Sequence, residues 1–558
     1  MAPNIDFSAL SSRKSTKNHS STFAIQGCSN RPRPMPYDTW GKLEILKDTV
    51  KKVKKFTCRR RGEEWAQHLD TLLSELEAPP STRSVVVVGH TGHGKTTLFN
   101  SLLQCPLLTT ATRRACTSAV VEVHYDDSLD YRATIEFLSK EAWEEFLSPL
   151  VADVHESTTS PSKFPPSDDV QKNLVLGSAA TLVQIYPHLS GQLIDKDVSV
   201  ESLSVHRSVT NMIGSSCEFT ATSPAEMEKK LRGYISARQD KNKPTLWHMI
   251  KCAKIYGPFQ MLATGTVLVD LPGFGDSNLI RVQKADQYLK DADSILLVLD
   301  IRRVIDHVDA REYLKKSIKR FVGFDGRAIS DSALIIAVTR SDVQINDPQN
   351  AVQDQEGQDF LNNINNELDN YTEDIQRVGG GLQAGFEQLE QTLNGLHMQK
   401  HSFLALRRAE RIRRYVQDLG ASIYRAIDKE SSAVLNPFSV HVVGSVDYQR
   451  LQNFDATQPD PMVFTNVADT GIPALQAQLS SVALHERLEK LMPTLTSFDS
   501  MMSEIHQYYK SQVTMDNQYI SKATTVLEDL KKYNEITHNE RIEGIGGLVD
   551  TLICTIQA

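Results

Sequence analysis

The sequence predicts an α/β fold in which a doubly wound, mainly parallel sheet is preceded and followed by helical segments. Three observations lead to this prediction: short runs of consecutive apolar residues, helical stretches between several of them, and a glycine-rich turn directly after the first run. Continuous apolar runs are typical of strands that are buried on both faces, as in parallel sheets. The runs are 84–89, 266–270, 294–300, 333–339 and 439–445, with a more polar candidate strand at 118–125.

The 558 residues have a globular composition, with 40% hydrophobic and 23% charged residues. This excludes a wholly disordered, collagen-like or disulfide-scaffold chain. No uninterrupted apolar stretch reaches about 18 residues and the start of the chain lacks a signal peptide, so we expect an intracellular, soluble protein of the nucleus or cytoplasm. The seven cysteines are scattered and form no CxxC pair, which fits free thiols and gives no support to a zinc site.

Charge is distributed unevenly. Residues 1–61 contain 14 Lys or Arg against 4 Asp or Glu, although the whole chain has a formal net charge of −8. The basic run at 51–61 is either a nuclear-import or anionic-surface patch or an ordinary solvated helix face. We expect no sequence-specific nucleic-acid partner, and the sequence leaves contact with a membrane open.

The chain divides into four predicted parts. They are a disordered tail at 1–37, a helical segment at 38–80, an α/β domain at 81–450 with insertions near 126–262 and 343–435, and a helical region at 451–558. The first of the two insertions contains a Pro- and Ser-rich stretch. The second begins with eight Asp or Glu and no Lys or Arg between 343 and 376, which predicts either a solvated acidic helix or a disordered loop.

The glycine-rich turn GHTGHGKT matches the phosphate-binding pattern G-x-x-x-x-G-K-[ST]. Its glycines let backbone N–H groups curl around a phosphate, and the helix that follows adds partial positive charge. Lys95 is expected to reach the β- and γ-phosphates, and Thr96 to bind Mg²⁺ through its hydroxyl. The predicted nucleotide contacts of this loop are Gly89, His90, Thr91, Gly92, His93, Gly94, Lys95, Thr96 and Thr97.

A second phosphate contact is predicted where the strand-like run 266–270 ends in the sequence DLPG. A carboxylate at the carboxyl end of a strand lies on the ligand side of an open α/β sheet. Asp270 is therefore a candidate for holding Mg²⁺ through its water shell. Gly273 is positioned to offer its N–H to the γ-phosphate. The alternative is an ordinary aspartate at a strand-to-turn junction.

The run 333–339 leads into TRSD, Thr339 to Asp342, a pattern that fits reading of a guanine base. A carboxylate accepts two hydrogen bonds from guanine N1–H and N2–H₂, and adenine has no such pair. Asp342 is the predicted acceptor, and the flat guanidinium of Arg340 can lie over the base. Ser445, which ends the last predicted strand, is a candidate for a contact from the other edge of the base. A surface turn or a site for another nucleotide remains the alternative.

A switch loop is predicted between the phosphate loop and the candidate strand at 118–125. Thr117 follows Lys95 by 22 residues, a position from which a threonine can ligate Mg²⁺ and orient the attacking water. Arg114 is a candidate internal arginine finger, with a surface or phosphate-steering arginine as the alternative. Lys95, Thr117 and Arg114 are thus the predicted catalytic residues.

In order along the chain, GHTGHGKTT, ACTSAVVEV, VDLPGFGDSN and TRSD resemble the motifs of dynamin-superfamily large GTPases. The likeness is greatest to the branch of nuclear GTPases similar to SLIP-GC and its fungal relatives, and it covers about residues 80–480. It implies a GTPase domain that binds GTP or GDP with Mg²⁺. It also implies that helices from both ends form a bundle or stalk, with coiled-coil packing, and that the protein forms a nucleotide-dependent homodimer or oligomer.

The chain departs from that family at positions that serve hydrolysis. Dynamins carry a Gln-Ser pair where Thr91 and Gly92 stand here, and guanylate-binding relatives place an arginine finger at the position of Gly92. Ras-type enzymes have a glutamine where this chain has Phe274, which cannot orient water. We therefore predict a GTP-hydrolysing switch, and keep two alternatives: a GTP-binding scaffold with negligible turnover, and an ATPase of the same fold.

Overall fold

The computed structural model describes residues 47–55, 62–78, 81–109, 119–159, 169–189, 198–235, 245–271, 288–304, 311–318, 334–345, 352–378, 383–427, 438–454 and 459–512, except 49, 290, 313, 316, 317 and 353. The predicted tail at 1–37 lies outside these residues. So does the end of the basic run, from 56 to 61.

Within the described residues, nine strands form one sheet. They are β1 (Arg83–Val88), β2 (Val121–Tyr125), β3 (Tyr131–Phe137), β4 (Ser216–Ala221), β5 (Ile250–Gly257), β6 (Thr266–Asp270), β7 (Ser294–Asp300), β8 (Leu334–Thr339) and β9 (Ser439–Val443). Their order across the sheet is β4-β3-β5-β2-β6-β1-β7-β8-β9. All five buried runs that the sequence analysis identified are strands, and the polar candidate at 118–125 contains β2.

The part of the sheet from β6 to β9 is parallel throughout, with β1 pairing with both β6 and β7, and β8 with both β7 and β9. The other part is mixed: β2 runs antiparallel to β6 and parallel to β5, while β3 is antiparallel to both β4 and β5. The predicted α/β class with a mainly parallel sheet is therefore confirmed. The region near 126–262, expected as an insertion, supplies three strands of this same sheet, because β3, β4 and β5 extend it beyond β2.

The described helices lie on both sides of the sheet and beyond it. They are α1 (Gly62–Glu77), α2 (Lys95–Leu103), α3 (Lys140–Thr159), α4 (Asp169–Ile185), α5 (Val200–Ser204), α6 (Arg207–Thr210), α7 (Pro224–Ile235), α8 (Gln355–Val378), α9 (Gln383–Ile427), α10 (Ser445–Leu451) and α11 (Ile472–Gln512). The acidic stretch after 343, for which the sequence allowed a helix or a disordered loop, is helical over α8. Among the described helices, none combines the length and apolar character needed to cross a bilayer.

The core has two layers because alternate side chains of each strand point to opposite faces. Val85 and Val87 face a cluster that includes Leu98 of α2 and Leu475 of α11. Val86 and Val88 face the other cluster, to which α9 contributes residues such as Ile412. Helices therefore cover both faces, as the doubly wound prediction requires. Helix α1 packs against α11, so helical segments from both sides of the sheet-forming region meet.

Candidate functional site

The carboxyl ends of the parallel strands meet at one edge of the sheet. Strand pairing places Asp270 beside Val87, and Asp300 beside Thr339, which in turn pairs with Val443. The chain leaves each of these strands at that edge, as a ligand-binding crevice of an open α/β sheet requires. The predicted phosphate loop, the candidate Mg²⁺ carboxylate and the TRSD segment therefore share one edge.

The phosphate loop has the backbone conformation that its glycines permit. Gly92 and Gly94 have φ angles of 85° and 83°, in the left-handed region where a side chain adds strain. Gly89 is needed for a different reason, since a Cβ there would lie 2.6 Å from the carbonyl oxygen of Val298 on the neighbouring strand β7. Helix α2 begins at Lys95 directly after the Gly94 cap, so its first N–H groups are directed toward the loop.

Lys95 folds its side chain back over the loop. Its Nζ donates to the carbonyl oxygens of Gly89 at 2.8 Å and of His90 at 3.2 Å, and the residue is only 8% exposed. Burial of a lysine ammonium is costly unless its hydrogens are used. These two hydrogen bonds therefore hold the ammonium against the phosphate loop.

The two histidines of the loop differ in environment. His93 is buried, with its Nδ1 3.4 Å from the Val298 carbonyl oxygen, and its ring centroid is 5.3 Å from that of His90. Burial lowers the pKa of His93 to about 4, with the hydrogen bond to Val298 acting in the opposite direction and His90 lowering it further. His93 is therefore neutral near pH 7 and packs the loop against β7. It adds no positive charge for a phosphate.

Asp270, the last residue of β6, is fully buried at the edge and pairs in register with Val87, two residues before Gly89. A carboxylate and the hydroxyl of Thr96 are oxygen donors of the kind that Mg²⁺ prefers. Among the described residues, no group of three or more His, Cys, Asp or Glu side chains is arranged to hold a metal ion. A cation here would depend on few protein oxygens together with phosphate and water.

Asp300, at the end of β7, is a site residue that the sequence analysis missed. It is 1% exposed, and its carboxylate contacts Arg302 at 2.7 Å and Arg340 at 3.2 Å. Burial acts to raise the pKa of Asp300, but the hydrogen bonds from Arg302 and the charge of Arg340 outweigh it, so the pKa is lowered. Arg340 also donates to the carbonyl oxygen of Gly92 at 2.6 Å. Asp300 thereby helps to hold Arg340 against the phosphate loop.

The hydroxyl of Thr339 connects the TRSD segment to the phosphate loop. Its Oγ1 lies 2.7 Å from the carbonyl oxygen of His93 and 3.1 Å from that of Leu299. Arg340 follows with a φ of 68°, an uncommon conformation for a residue with a side chain. This left-handed turn lets β8 end at the edge while the chain continues into Asp342.

Asp342 is held by the start of α10. Its Oδ2 accepts the N–H groups of Val446 at 2.7 Å and Asp447 at 3.1 Å. Burial raises the pKa of Asp342, the negative charge of Asp447 raises it further, and the two backbone hydrogen bonds oppose this. Ser445 is the first residue of α10, and its carbonyl oxygen accepts a hydrogen bond from Ser101 of α2 at 3.1 Å. The described part of the site thus connects the phosphate-loop helix to the TRSD segment.

Asp447 organises the loop that follows α10. It is fully buried, and its two carboxylate oxygens accept the backbone N–H groups of Met462, Val463 and Phe464 at 2.7 to 3.0 Å. Phe464 in turn lies so close to Gly444 that a Cβ there would be 2.8 Å from its ring. The sequence carried no motif for this arrangement, because a buried aspartate is recognisable only from its partners.

Three predicted residues, Arg114, Thr117 and Gly273, lie outside the described part of the chain. Their roles, and those of the residues placed at the edge, stay predictions. The described geometry is that of an α/β protein with a P-loop: a glycine-rich turn and a buried lysine follow one parallel strand, and buried carboxylates end the two neighbouring strands.

Residues 85–321 match the model of the Dynamin family. That region includes the phosphate loop and Asp270. This region resembles the dynamin family, and the predicted resemblance to the dynamin superfamily is confirmed.

Two curated relatives are nuclear GTPases named SLIP-GC. The Mus musculus protein is 26% identical and the Homo sapiens protein 24% identical, each over 259 residues. These alignments cover 45% of this chain and 32% of each relative, so the chain spans about a third of their length.

Solved structures of an oligomerised bacterial dynamin pair, described as a mechanism for long-range sensing and tethering of membranes, also align with the chain. One is 14% identical, with a TM-score of 0.37, and covers 88% of this chain and 52% of the other. A second is 12% identical, with a TM-score of 0.39, and covers 93% and 74%.

Proposed function

We propose that this chain binds GTP together with Mg²⁺, hydrolyses it, and changes conformation or self-association with the nucleotide state. The observation that supports this best is the shared edge of the sheet, where Asp270 ends one strand of the parallel array and Lys95 and Asp342 come shortly after two others. A phosphate cradle, a metal carboxylate and a base-reading carboxylate are the three parts that a guanine-nucleotide site needs.

In this proposal the charge of the transferred phosphoryl group is stabilised mainly by electrostatics. Lys95 and the first N–H groups of α2 bind the β- and γ-phosphates. Thr96 and Asp270 hold Mg²⁺, Asp270 through the metal's water shell. Thr117 joins as a ligand that orients the attacking water, and Arg114 is the candidate for a finger.

The first test compares GTP with ATP in equilibrium binding. We expect GTP and GDP to bind and ATP to bind far more weakly, since adenine has no N1–H and N2–H₂ donor pair for the Asp342 carboxylate to accept. Lys95→Ala is expected to abolish triphosphate binding without lowering the thermal unfolding temperature by more than a few degrees. Lys140→Ala, which removes an exposed lysine from α3, is the control. Equal affinities for GTP and ATP would contradict base reading by Asp342 and would favour an ATPase of the same fold. Unchanged triphosphate binding by Lys95→Ala would contradict the assignment of this loop as the phosphate site.

A GTP-binding scaffold with negligible turnover is the second candidate function. Gly92 supports it, because this residue brings no side chain to a loop position that serves hydrolysis in related families. Phosphate release measured over a range of protein concentrations separates the two candidates. A switch that completes its site by dimerisation gives a rate per molecule that rises with concentration. Phosphate release at the background rate at every protein concentration would favour the scaffold with negligible turnover.

Self-association is the third part of the proposal. It is supported by the resemblance to the dynamin family and by the packing of α1 against α11, which brings together helices that precede and follow the sheet-forming region of the chain. Light scattering with GTP, GDP and a non-hydrolysable analogue is expected to show larger particles with the triphosphates. Identical scattering in all three states would contradict nucleotide-controlled assembly.

We also propose residence in the nucleus, since the curated relatives are nuclear GTPases and the run at 51–61 is basic. Imaging a tagged chain with and without residues 51–61 tests this. Nuclear signal that persists after the deletion would show that the run is not the import signal.

A further inference from the structure

The long helix α9 contributes an arginine to the segment that carries Asp342. One terminal nitrogen of Arg408 donates to the carbonyl oxygen of Ser341 at 3.1 Å and to that of Val343 at 2.7 Å. These are the two residues on either side of Asp342. The guanidinium therefore holds the backbone of this short turn from the side of α9.

Asp342 is consequently fixed from two directions. On one side its Oδ2 accepts the N–H groups of Val446 and Asp447, and on the other Arg408 binds the flanking carbonyls. Burial lowers the pKa of Arg408, while the nearby charge of Asp342 acts to raise it. Because arginine stays protonated in proteins, the guanidinium also supplies a positive charge close to a buried carboxylate.

The neighbouring arginines of α9 have different partners. Arg413 and Arg414 both pair with Glu410 on their own helix, and Arg407 reaches Asp354 just before α8 at 3.3 Å. The arginine-rich stretch is therefore not a uniform solvated face.

The same stretch of α9 also contacts the loop that Asp447 organises. Ala405 packs with Val463 and Phe464. Beyond Arg408, α9 enters the core through Ala409 and Ile412, which are buried with the strands of the sheet. The helix is thus anchored in the core at the point from which Arg408 extends to the turn.

We infer that Arg408 is a positioning residue for guanine selectivity: by binding the carbonyls of Ser341 and Val343, it holds the Asp342 carboxylate where a guanine base can meet it. This inference rests on the proposed function, since it assigns a support to the base-reading carboxylate of that site. Its consequence is that base selectivity depends on α9, an element far along the chain from the phosphate loop.

The test compares binding of GDP and inosine diphosphate to the full chain. Hypoxanthine lacks the N2 amino group of guanine, so the ratio of the two affinities reports the second hydrogen bond to Asp342. We expect Arg408→Gln to reduce that ratio by about fivefold, the size of one typical hydrogen bond. Arg408→Lys, which keeps a charged donor, is expected to retain most of the ratio. Arg414→Gln removes a similar charge from the same helix and is expected to leave the ratio unchanged.

The outcomes are distinguishable. If the unsubstituted chain binds GDP no better than ADP, the proposed function and this inference both fail. If it prefers GDP and Arg408→Gln keeps the full GDP-to-inosine ratio, only the inference fails. An equal loss of both affinities with a lower unfolding temperature would show a purely structural role and also overturn it. Should the glutamine variant not fold, Arg408→Met, which retains the aliphatic stem, carries the same expectation.

Discussion

Two buried carboxylates at this site, Asp342 and Asp447, are held by several backbone N–H groups each. Asp342 accepts two such groups and Asp447 accepts three. A carboxylate that accepts backbone N–H groups keeps a fixed direction at low entropic cost. In the proposed function, that direction determines which base Asp342 can bind.

Asp342→Asn tests the role of that carboxylate. The asparagine oxygen is expected to keep the hydrogen bonds from Val446 and Asp447, which turns the amide NH₂ toward the base. The N2 amino group of guanine then faces the asparagine NH₂, so that two donors meet. Xanthine instead has a carbonyl oxygen at C2, which can accept a hydrogen bond from that NH₂. We expect affinity for GDP to fall by about 10- to 100-fold and xanthosine diphosphate to bind better than GDP, as measured by equilibrium titration.

Asp359→Asn, which changes an exposed carboxylate on α8, is the matched control and should alter neither affinity. If Asp342→Asn kept its preference for guanine, the base would have to be read by another group.

His93 predicts a pH dependence of stability. Its pKa is lowered from 6.5 to about 4 in the folded protein, so below pH 6.5 the unfolded chain binds a proton that the folded chain does not. Stability from this group is therefore present at neutral pH and is lost as the pH falls toward 4. We expect up to about 2 kcal/mol of unfolding free energy to be lost through His93 between pH 7 and pH 5.

Urea unfolding at both pH values measures this loss. His93→Gln keeps a donor toward Val298 but does not titrate, so its free energy should decline less between the two pH values. An equal decline in both proteins would show that His93 is not held neutral by its burial.

At the scale of elements, the phosphate-loop helix is tied to two later helices by polar contacts. Gln476 of α11 is fully buried, and its Nε2 donates to the carbonyl oxygens of Leu102 at 2.9 Å and Ser101 at 3.4 Å, at the end of α2. Gln449 of α10 donates to the carbonyl oxygen of Thr97 at 2.9 Å. The bonds from Gln476 reach the end of α2, where a helix leaves carbonyl groups without intrahelical partners. The bond from Gln449 reaches a carbonyl oxygen earlier in the same helix.

Gln476→Leu tests that coupling. The substitution keeps much of the volume but removes the donor, so the Leu102 carbonyl stays buried without this partner. We expect the free energy of unfolding to fall by about 1–3 kcal/mol, measured by urea titration. Gln478→Leu, two residues further along α11 at a half-buried position, should cost less than 1 kcal/mol. Equal effects of the two substitutions would mean that the bonds to α2 add nothing.

The strands also differ as elements in how well the sequence predicts them. Strands β6, β7 and β8 are buried at every residue, which gives the continuous apolar runs that identified them. Along β4, exposed residues alternate with half-buried ones over most of the strand. Strands β3 and β5 are linked by an ion pair between Glu136 and Lys254 at 2.6 Å. Because these strands lack continuous apolar runs, the sequence analysis did not identify them, and the region near 126–262 was predicted as an insertion.

At the scale of the whole molecule, the sheet is protected unequally. Its centre, around β1, lies between two layers of helices, whereas β4 is an outer strand. Opening the centre requires both layers to separate, and this costs a large part of the global free energy of unfolding.

Amide hydrogen exchange is expected to reflect that arrangement. Amides of β6, β7 and β8 should exchange slowest, and those of β4 should exchange at least tenfold faster. Mass spectrometry of peptides from the labelled protein measures both. If β7 exchanged as fast as β4, the sheet would not open from its outer strand inward.

The sequence by itself determined what depends on local chemistry. Gly89 to Thr96 and Thr339 to Asp342 were recognisable because each motif is a short run of particular residue types at fixed spacing. The buried strands were recognisable because burial on both faces excludes polar residues over the whole run.

Only the tertiary structure decided which distant residues support the site. In the sequence, Asp300 is an ordinary aspartate at the end of a strand, and its role is visible only from its ion pair with Arg340. Arg408 is one of several arginines in α9, and it is distinguished only by its hydrogen bonds to the two residues beside Asp342. Likewise, β3, β4 and β5 join the sheet through pairing with partners far along the chain. Such contacts leave no local pattern, because what selects these residues is the position of a partner in space.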